Sequence, residues 1–129
     1  MQLGYTILYV DDVPATVEAW ERAFGLTRRF VHESTLYAEL ETGATTLSFA
    51  GRDFGREHFT DDATRASFDG LPARFEIGLV TEDVGAAFQH AVANGMESIN
   101  EPVEKPWGQI VAWVKDSNGI LVELATPMG

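Results

Sequence analysis

Residues 4–26 and 75–96 read as two copies of one unit. The first runs Tyr5-Thr-Ile-Leu-Tyr-Val10-Asp-Asp-Val13 into a helical stretch ending at Phe24-Gly25-Leu26. The second runs Phe75-Glu-Ile-Gly-Leu-Val80-Thr-Glu-Asp-Val84 into one ending at Asn94-Gly95-Met96. Each is an alternating apolar run, an acidic cap, an amphipathic helix and a glycine stop. A period of roughly 70 residues is too long for a solenoid and occurs only twice, so it predicts a duplicated half-domain. Two such halves side by side enclose a cleft, and function then rests on which side chains each half directs into it.

At 129 residues the chain is long enough for one domain with a substantial core. Its 45% hydrophobic content excludes a disordered or low-complexity chain. No apolar run reaches the length of a membrane span, and Met1 leads directly into a strand pattern, with no signal peptide expected. The absence of cysteine removes disulfides, thiolate zinc sites and thiol nucleophiles together. A cytoplasmic location is the simplest expectation, although a cysteine-free chain tolerates any compartment. The net charge of −11 argues against a nucleic-acid partner and against an anionic membrane surface. It suits a cationic or neutral small ligand, or it serves only to keep the protein soluble.

Along the first unit, alternation around Leu3, Tyr5, Ile7 and Tyr9 predicts a strand over 3–10. Asp11 or Asp12 caps the following helix, with Pro14 in its first turn and Gly25 at its stop. Val17, Trp20 and Phe24 form its buried stripe. Three strands are expected near 27–33, 35–41 and 44–50, the last two joined by Glu41-Thr-Gly-Ala44. Residues 52–72, with Gly55, Gly70, Pro72 and several charges, read as a linker with at most a short helical turn. The division is thus a first module over 1–51, the linker, and a second module over 73–129. That module is expected as a strand at 74–81, a helix at 84–94 with Val84, Ala87, Phe88 and Ala91 buried, and strands near 97–100, 109–115 and 120–126. Asp116-Ser-Asn-Gly119 is a tight hairpin signal between the last two.

This arrangement, with Pro106-Trp107-Gly108-Gln109 and Trp113-Val-Lys-Asp116-Ser-Asn-Gly119-Ile-Leu-Val-Glu123, resembles the vicinal oxygen chelate superfamily of glyoxalase I, extradiol dioxygenases, fosfomycin-resistance enzymes and bleomycin-resistance proteins. The resemblance covers nearly the whole chain apart from the linker. It implies an α+β fold of two βαβββ modules forming a curved eight-stranded sheet around a cleft, within a homodimer. In metal-using members of that superfamily the ligands lie on the first and last strand of each module, typically His or Gln on the first strands and Glu on the last. Carried over by position, those places fall on Tyr5, Ser48, Glu76 and Glu123. Only Glu123 keeps the expected type. A catalytic metal site needs about three good protein ligands and an open position, so no metal and no other cofactor is expected.

The histidines do not supply one. His32 ends a strand, His58 lies in the linker and His90 on the second helix, none beside another ligand; His58 is the best placed, since linker loops can fold over a pocket. Glu76 and Glu123 carry more weight. Two carboxylates in one cleft with few cations nearby in sequence either raise one pKa or attract a cation. They then serve as a general base or as an anchor for a ligand amine. The alternative is a carboxylate pair bonded to the Tyr5 and Ser48 hydroxyls as a relic of a metal centre. Trp107 lies in a turn where periodicity does not demand burial, so it stacks on a planar or cationic ligand or packs as a lid. Trp20 belongs to the core, Trp113 can face either side, and Tyr37 shares strand parity with Glu39. No phosphate-cradling glycine loop, dinucleotide fingerprint or nucleophile elbow is present.

The reading of the sequence is metal-independent binding of a small aromatic or cationic compound by Tyr5, Tyr37, Ser48, Glu76, Trp107, Trp113 and Glu123, in the manner of bleomycin-resistance or glyoxalase-like proteins. The competing reading is an enzyme, a metal-dependent lyase, isomerase or dioxygenase with a non-standard site built on Glu76 and Glu123. A third is a regulatory or structural member with a vestigial pocket. Fold alone does not choose among them.

Overall fold

The computed structural model describes residues 1–70, 72 and 74–128. Leu71 of the expected linker and the two end residues of the expected second module, Ala73 and Gly129, lie outside them. The chain divides into two compact units, Met1–Gly70 and Leu71–Gly129.

In the first unit, β1 (Tyr5–Val10) leads into α1 (Val13–Phe24), then β2 (Thr27–Val31), β3 (Tyr37–Glu41) and β4 (Thr46–Gly51). The helix starts because the Asp12 carboxylate accepts the Ala15 N–H at 3.0 Å, and it stops at Gly25, whose φ of 67° few residues other than glycine adopt without strain. The sheet order is β1-β4-β3-β2, with β1 parallel to β4 and the other pairs antiparallel. Val13, Val17, Trp20 and Ala23 of α1 are buried with Leu8, Val10, Ala38, Leu40, Leu47 and Phe49, and the Trp20 and Phe49 rings meet edge to face at 5.1 Å. Phe24 of the expected stripe is only half-buried, and its ring packs on Trp20 at 5.1 Å. The third strand begins at Tyr37 rather than Thr35, because Thr35 lies in the β2–β3 turn with φ 62°.

The segment after β4 is more structured than a linker with one turn. It forms α2 (Arg52–Arg56) and α3 (Asp62–Ala66), the latter capped by Asp61 on the Thr64 N–H at 2.9 Å. Phe68 packs edge-on against Tyr9 at 4.7 Å and continues through Phe59 to His58 and Phe54. Gly55 lies so close to Tyr9 that a Cβ there would be 2.3 Å from the ring.

The second unit repeats the plan with β5 (Glu76–Val80), α4 (Val84–Ala93), β6 (Glu97–Glu104), β7 (Ile110–Lys115) and β8 (Leu121–Ala125), in the order β5-β8-β7-β6. Asp83 caps α4 on the Ala86 N–H at 3.0 Å, as Asp12 caps α1. Val84, Phe88 and Ala91 pack with Ala112, Val114, Val122 and Leu124, while Ala87 is half-buried. Among the described residues the strands form two four-stranded sheets, an α+β fold of two βαβββ units, and neither sheet closes into a barrel. β6 runs four residues beyond its expected end at 100. Two register shifts against β7, between Ser98 and Asn100 and between Asn100 and Val103, break the alternation, and Pro102 disguises an edge strand as a loop. The β7–β8 hairpin closes as its sequence requires. The buried Asp116 carboxylate accepts the Asn118 and Ile120 N–H groups, both at 2.9 Å, and Gly119 takes φ 85°.

Candidate functional site

In each unit the helix that follows the first strand covers one face of the sheet, and strand register decides what the other face carries. On the first unit the cross-strand row Ile7–Ser48–Glu39–Phe30 lies on that face, flanked by Tyr5 with Thr46 and by Tyr9 with Ala50 and Tyr37. On the second the matching row is Gly78–Glu123–Trp113–Asn100, flanked by Glu76 with Leu121. Tyr5 and Glu76 hold equivalent positions, as do Ser48 and Glu123.

The first face is a closed hydrogen-bonded network. Tyr37 Oη donates to Glu39 Oε2 at 2.7 Å and lies 3.0 Å from Ser48 Oγ, and Ser48 is fully buried. Arg29, swung onto this face by the bulge between Arg28 and Phe30, donates to Glu39 at 2.9 Å and clamps Glu41 with two bonds of 2.7 and 3.0 Å. A fourth bond reaches Thr46 Oγ1 at 3.2 Å. Arg29 holds the Glu41 carboxyl below the usual range, while desolvation, followed by the Glu39 contact and charge, pushes the Tyr37 phenol up. Tyr5 is 59% exposed at the edge of the network.

The second face is open. Trp113 is half-buried on the same side as Glu123, and its indole N–H donates to Glu76 Oε2 at 2.6 Å. Glu123 is half-buried too, and among the described residues no donor bonds its carboxylate. Desolvation, with the charge of Glu76 added, raises its pKa, and Lys105 pulls it part of the way back. Lys105 places its ammonium 5.5 Å from the centre of the Trp113 ring. Gly78, the register partner of Glu123 on β5, leaves space beside the carboxylate, for a Cβ there would meet nothing within 4 Å. The first unit fills that position with Ile7.

Within each unit the structure brings the sequence-predicted residues onto one face: Tyr5, Tyr37 and Ser48 on the first, Glu76, Trp113 and Glu123 on the second. Trp107 stands apart from these. It occupies the turn of the β6–β7 hairpin, which the Gly108 N–H closes on the Lys105 carbonyl at 2.8 Å, and it is 65% exposed. Its indole donates to Gln109 Oε1 at 3.0 Å. His58 directs Nδ1 at the Phe54 carbonyl, 3.0 Å away, and so ties down the end of α2. Sequence reasoning missed Arg29, Lys105 and Gly78. Only the two bulged or turned segments that deliver the cations, and the register that pairs Gly78 with Glu123, reveal them.

The donor set does not fit a divalent ion of the kind the superfamily's metal enzymes hold. Among the described residues no three His, Asp or Glu side chains come together. Two of the four places carry hydroxyls, one buried in the Tyr37 network. At the other two, an indole N–H is bound to Glu76 and the Lys105 charge acts on Glu123.

The sequence profile of the Glyoxalase/Bleomycin resistance protein/Dioxygenase superfamily matches residues 2–124. No curated protein matches the sequence. Several solved structures share the fold. A glyoxalase/bleomycin resistance protein/dioxygenase family enzyme from Burkholderia phytofirmans PsJN is 18% identical, with a TM-score of 0.83 over 99% of this chain and 100% of its own. A glyoxalase-related enzyme from Fulvimarina pelagi is 17% identical, with a TM-score of 0.81 over 100% and 93%. TioX from Micromonospora sp. ML1 is 19% identical, with a TM-score of 0.73 over 99% and 100%. With its profile match spanning nearly the whole sequence and its paired βαβββ units, the chain belongs to the Glyoxalase/Bleomycin resistance protein/Dioxygenase superfamily.

Proposed function

We propose that the protein binds a small organic cation with a planar or aromatic part, without a metal, on the open face of the second unit. The observation that carries this reading is the Glu123 carboxylate: half-buried, raised in pKa, beside a second carboxylate, and without a donor among the described residues. An ionised group in that position is stabilised by a ligand that brings a positive charge or an N–H. Trp113 supplies the stacking ring beside it, and Gly78 supplies the room. Trp113 takes the role that the sequence assigned to Trp107, whose ring stands on the hairpin tip. The first face contributes less, since Tyr37, Ser48, Glu39 and Arg29 already satisfy one another.

The test is a tryptophan-fluorescence titration with phenyltrimethylammonium and, as the anionic match, benzenesulfonate. The cation binds and the anion does not. Glu123→Gln weakens the cation by roughly tenfold, the value of one charge-assisted contact. Gly78→Val weakens it comparably, and an unchanged far-UV circular dichroism spectrum and melting temperature show that the fold is retained; a Cβ at that position meets nothing within 4 Å. Tighter binding of benzenesulfonate sinks the electrostatic argument. Elemental analysis returning about one zinc or nickel ion per chain after dialysis would favour the metal-dependent enzyme instead.

We also propose a homodimer. β6 is an edge strand exposed along its whole length, with Ile99 and Val103 among its residues, and such edges are covered in stable proteins. Sedimentation as a single 14.2 kDa species at micromolar concentration refutes it.

A further inference from the structure

We propose that Lys105 is an exchangeable internal cation that occupies the Trp113 face in the free protein and sets which ligands can take its place. This rests on the binding reading above and deepens it. The Lys105 backbone is fixed at the base of the β6–β7 turn, its N–H donating to the Gln109 carbonyl and its own carbonyl accepting the Gly108 N–H, both at 2.8 Å. The side chain is not pinned in the same way. Among the described residues Lys105 forms no ion pair, and its ammonium rests over the Trp113 ring, 5.5 Å from the centre. Its charge also reaches Glu123 without pairing with it. One residue thus supplies the ring with a cation and the carboxylate with partial neutralisation, the two services a bound ligand would render.

A tethered group competes as if present at roughly millimolar concentration or more. A free primary ammonium brings nothing that Lys105 lacks, so the wild-type face excludes it. A ligand displaces Lys105 only by adding what an ammonium on a flexible stem cannot, namely a weakly hydrated cation or a flat apolar surface for Trp113. The substrate class that follows is the quaternary or delocalised aromatic cation, with simple alkylamines rejected.

The experiment compares phenyltrimethylammonium with n-butylammonium on the whole chain, wild type and Lys105→Met, a change that keeps the length and apolar character of the stem. Wild type binds phenyltrimethylammonium and binds butylammonium at least about tenfold more weakly. Lys105→Met tightens both, and butylammonium gains the more, by about five- to tenfold, as one cation–π contact and one nearby charge are released. In the wild type the Lys105 ε-methylene proton resonances are shifted upfield by the indole ring current, and phenyltrimethylammonium returns them to the position of an exposed lysine. Equal affinity of wild type for the two cations overturns the proposal. So does a Lys105→Met variant that binds phenyltrimethylammonium no more tightly, or an ε-methylene resonance that stays upfield at saturation. Binding of neither cation by either protein overturns the cation-binding reading itself, whereas binding with no Lys105 effect overturns only this proposal.

Discussion

Ser48 and Glu123 occupy the same register position in two copies of one architecture, yet their surroundings run opposite ways. Around Ser48 the first unit has assembled its own partners: Tyr37 bridges Glu39 and Ser48, Arg29 bonds both Glu39 and Glu41, and the Ser48 hydroxyl is fully buried. Around Glu123 the second unit leaves a carboxylate without a donor among the described residues, a repelling neighbour and an empty position at Gly78. The same backbone therefore supports one face that is stabilised by its own contacts and one that is completed by something added. The titration directions express the difference. Glu41 is lowered by Arg29, so its contribution to stability is present above the ordinary carboxylate range and is lost as pH falls through its own lower value. Glu123 is raised, so its penalty is present at neutral pH and vanishes as pH falls toward the ordinary glutamate range.

The most damaging way to break the contrast is to give the first unit the second unit's carboxylate. Ser48→Glu buries a charge beside Glu39, and we expect a loss of about 3 kcal/mol or more in urea unfolding, as for other uncompensated buried charges. A loss below about 1 kcal/mol shows that the first face is not closed. Next in size is a pair of glycine substitutions. Gly55→Ala drives a Cβ into Tyr9 and Phe68 and should cost about 1–3 kcal/mol, while Gly78→Ala, in open space, should stay within about 0.5 kcal/mol of wild type. Equal costs would erase the distinction between a covered face and an open one.

Tyr37→Phe removes the hydroxyl that joins Glu39 to Ser48. The expected cost is about 1 kcal/mol by thermal or chemical unfolding, with no effect on phenyltrimethylammonium affinity. A tenfold loss of affinity would instead assign the first face a direct part in binding. The smallest effect is a gain. Glu123→Gln removes a carboxylate that folding disfavours in its ionised form, so its melting temperature should exceed wild type slightly at pH 7. The advantage should fade toward pH 4, near the ordinary glutamate value of about 4.3, where wild type is itself protonated. A gain that persists unchanged at low pH points to packing rather than charge.

Much of the architecture was legible because its signals are local. Asp12 and Asp83 cap helices through their own side chains, Gly25 and Gly119 adopt backbone angles that glycine favours, and alternation marks the strands whose one face is buried. The legibility fails at β6, where bulges and Pro102 interrupt the period, and at α2 and α3, helices of five residues held by an aromatic cluster that forms only when Phe68 reaches Tyr9.

The site divides along the same line. Which residue types stand at Tyr5, Ser48, Glu76 and Glu123 is a property of the sequence alone. Which groups answer those residues was decided by tertiary structure. The indole of Trp113 meets Glu76 across 37 positions, Arg29 meets Glu41 across 12, and Lys105 comes to the Trp113 ring through a hairpin. Hydrogen bonds and charges act through space over a few ångströms, so chain distance carries almost no information about them. Strand register, set by the packing of the opposite faces on α1 and α4, decided that Glu123 faces empty space at Gly78 while Ser48 faces Ile7.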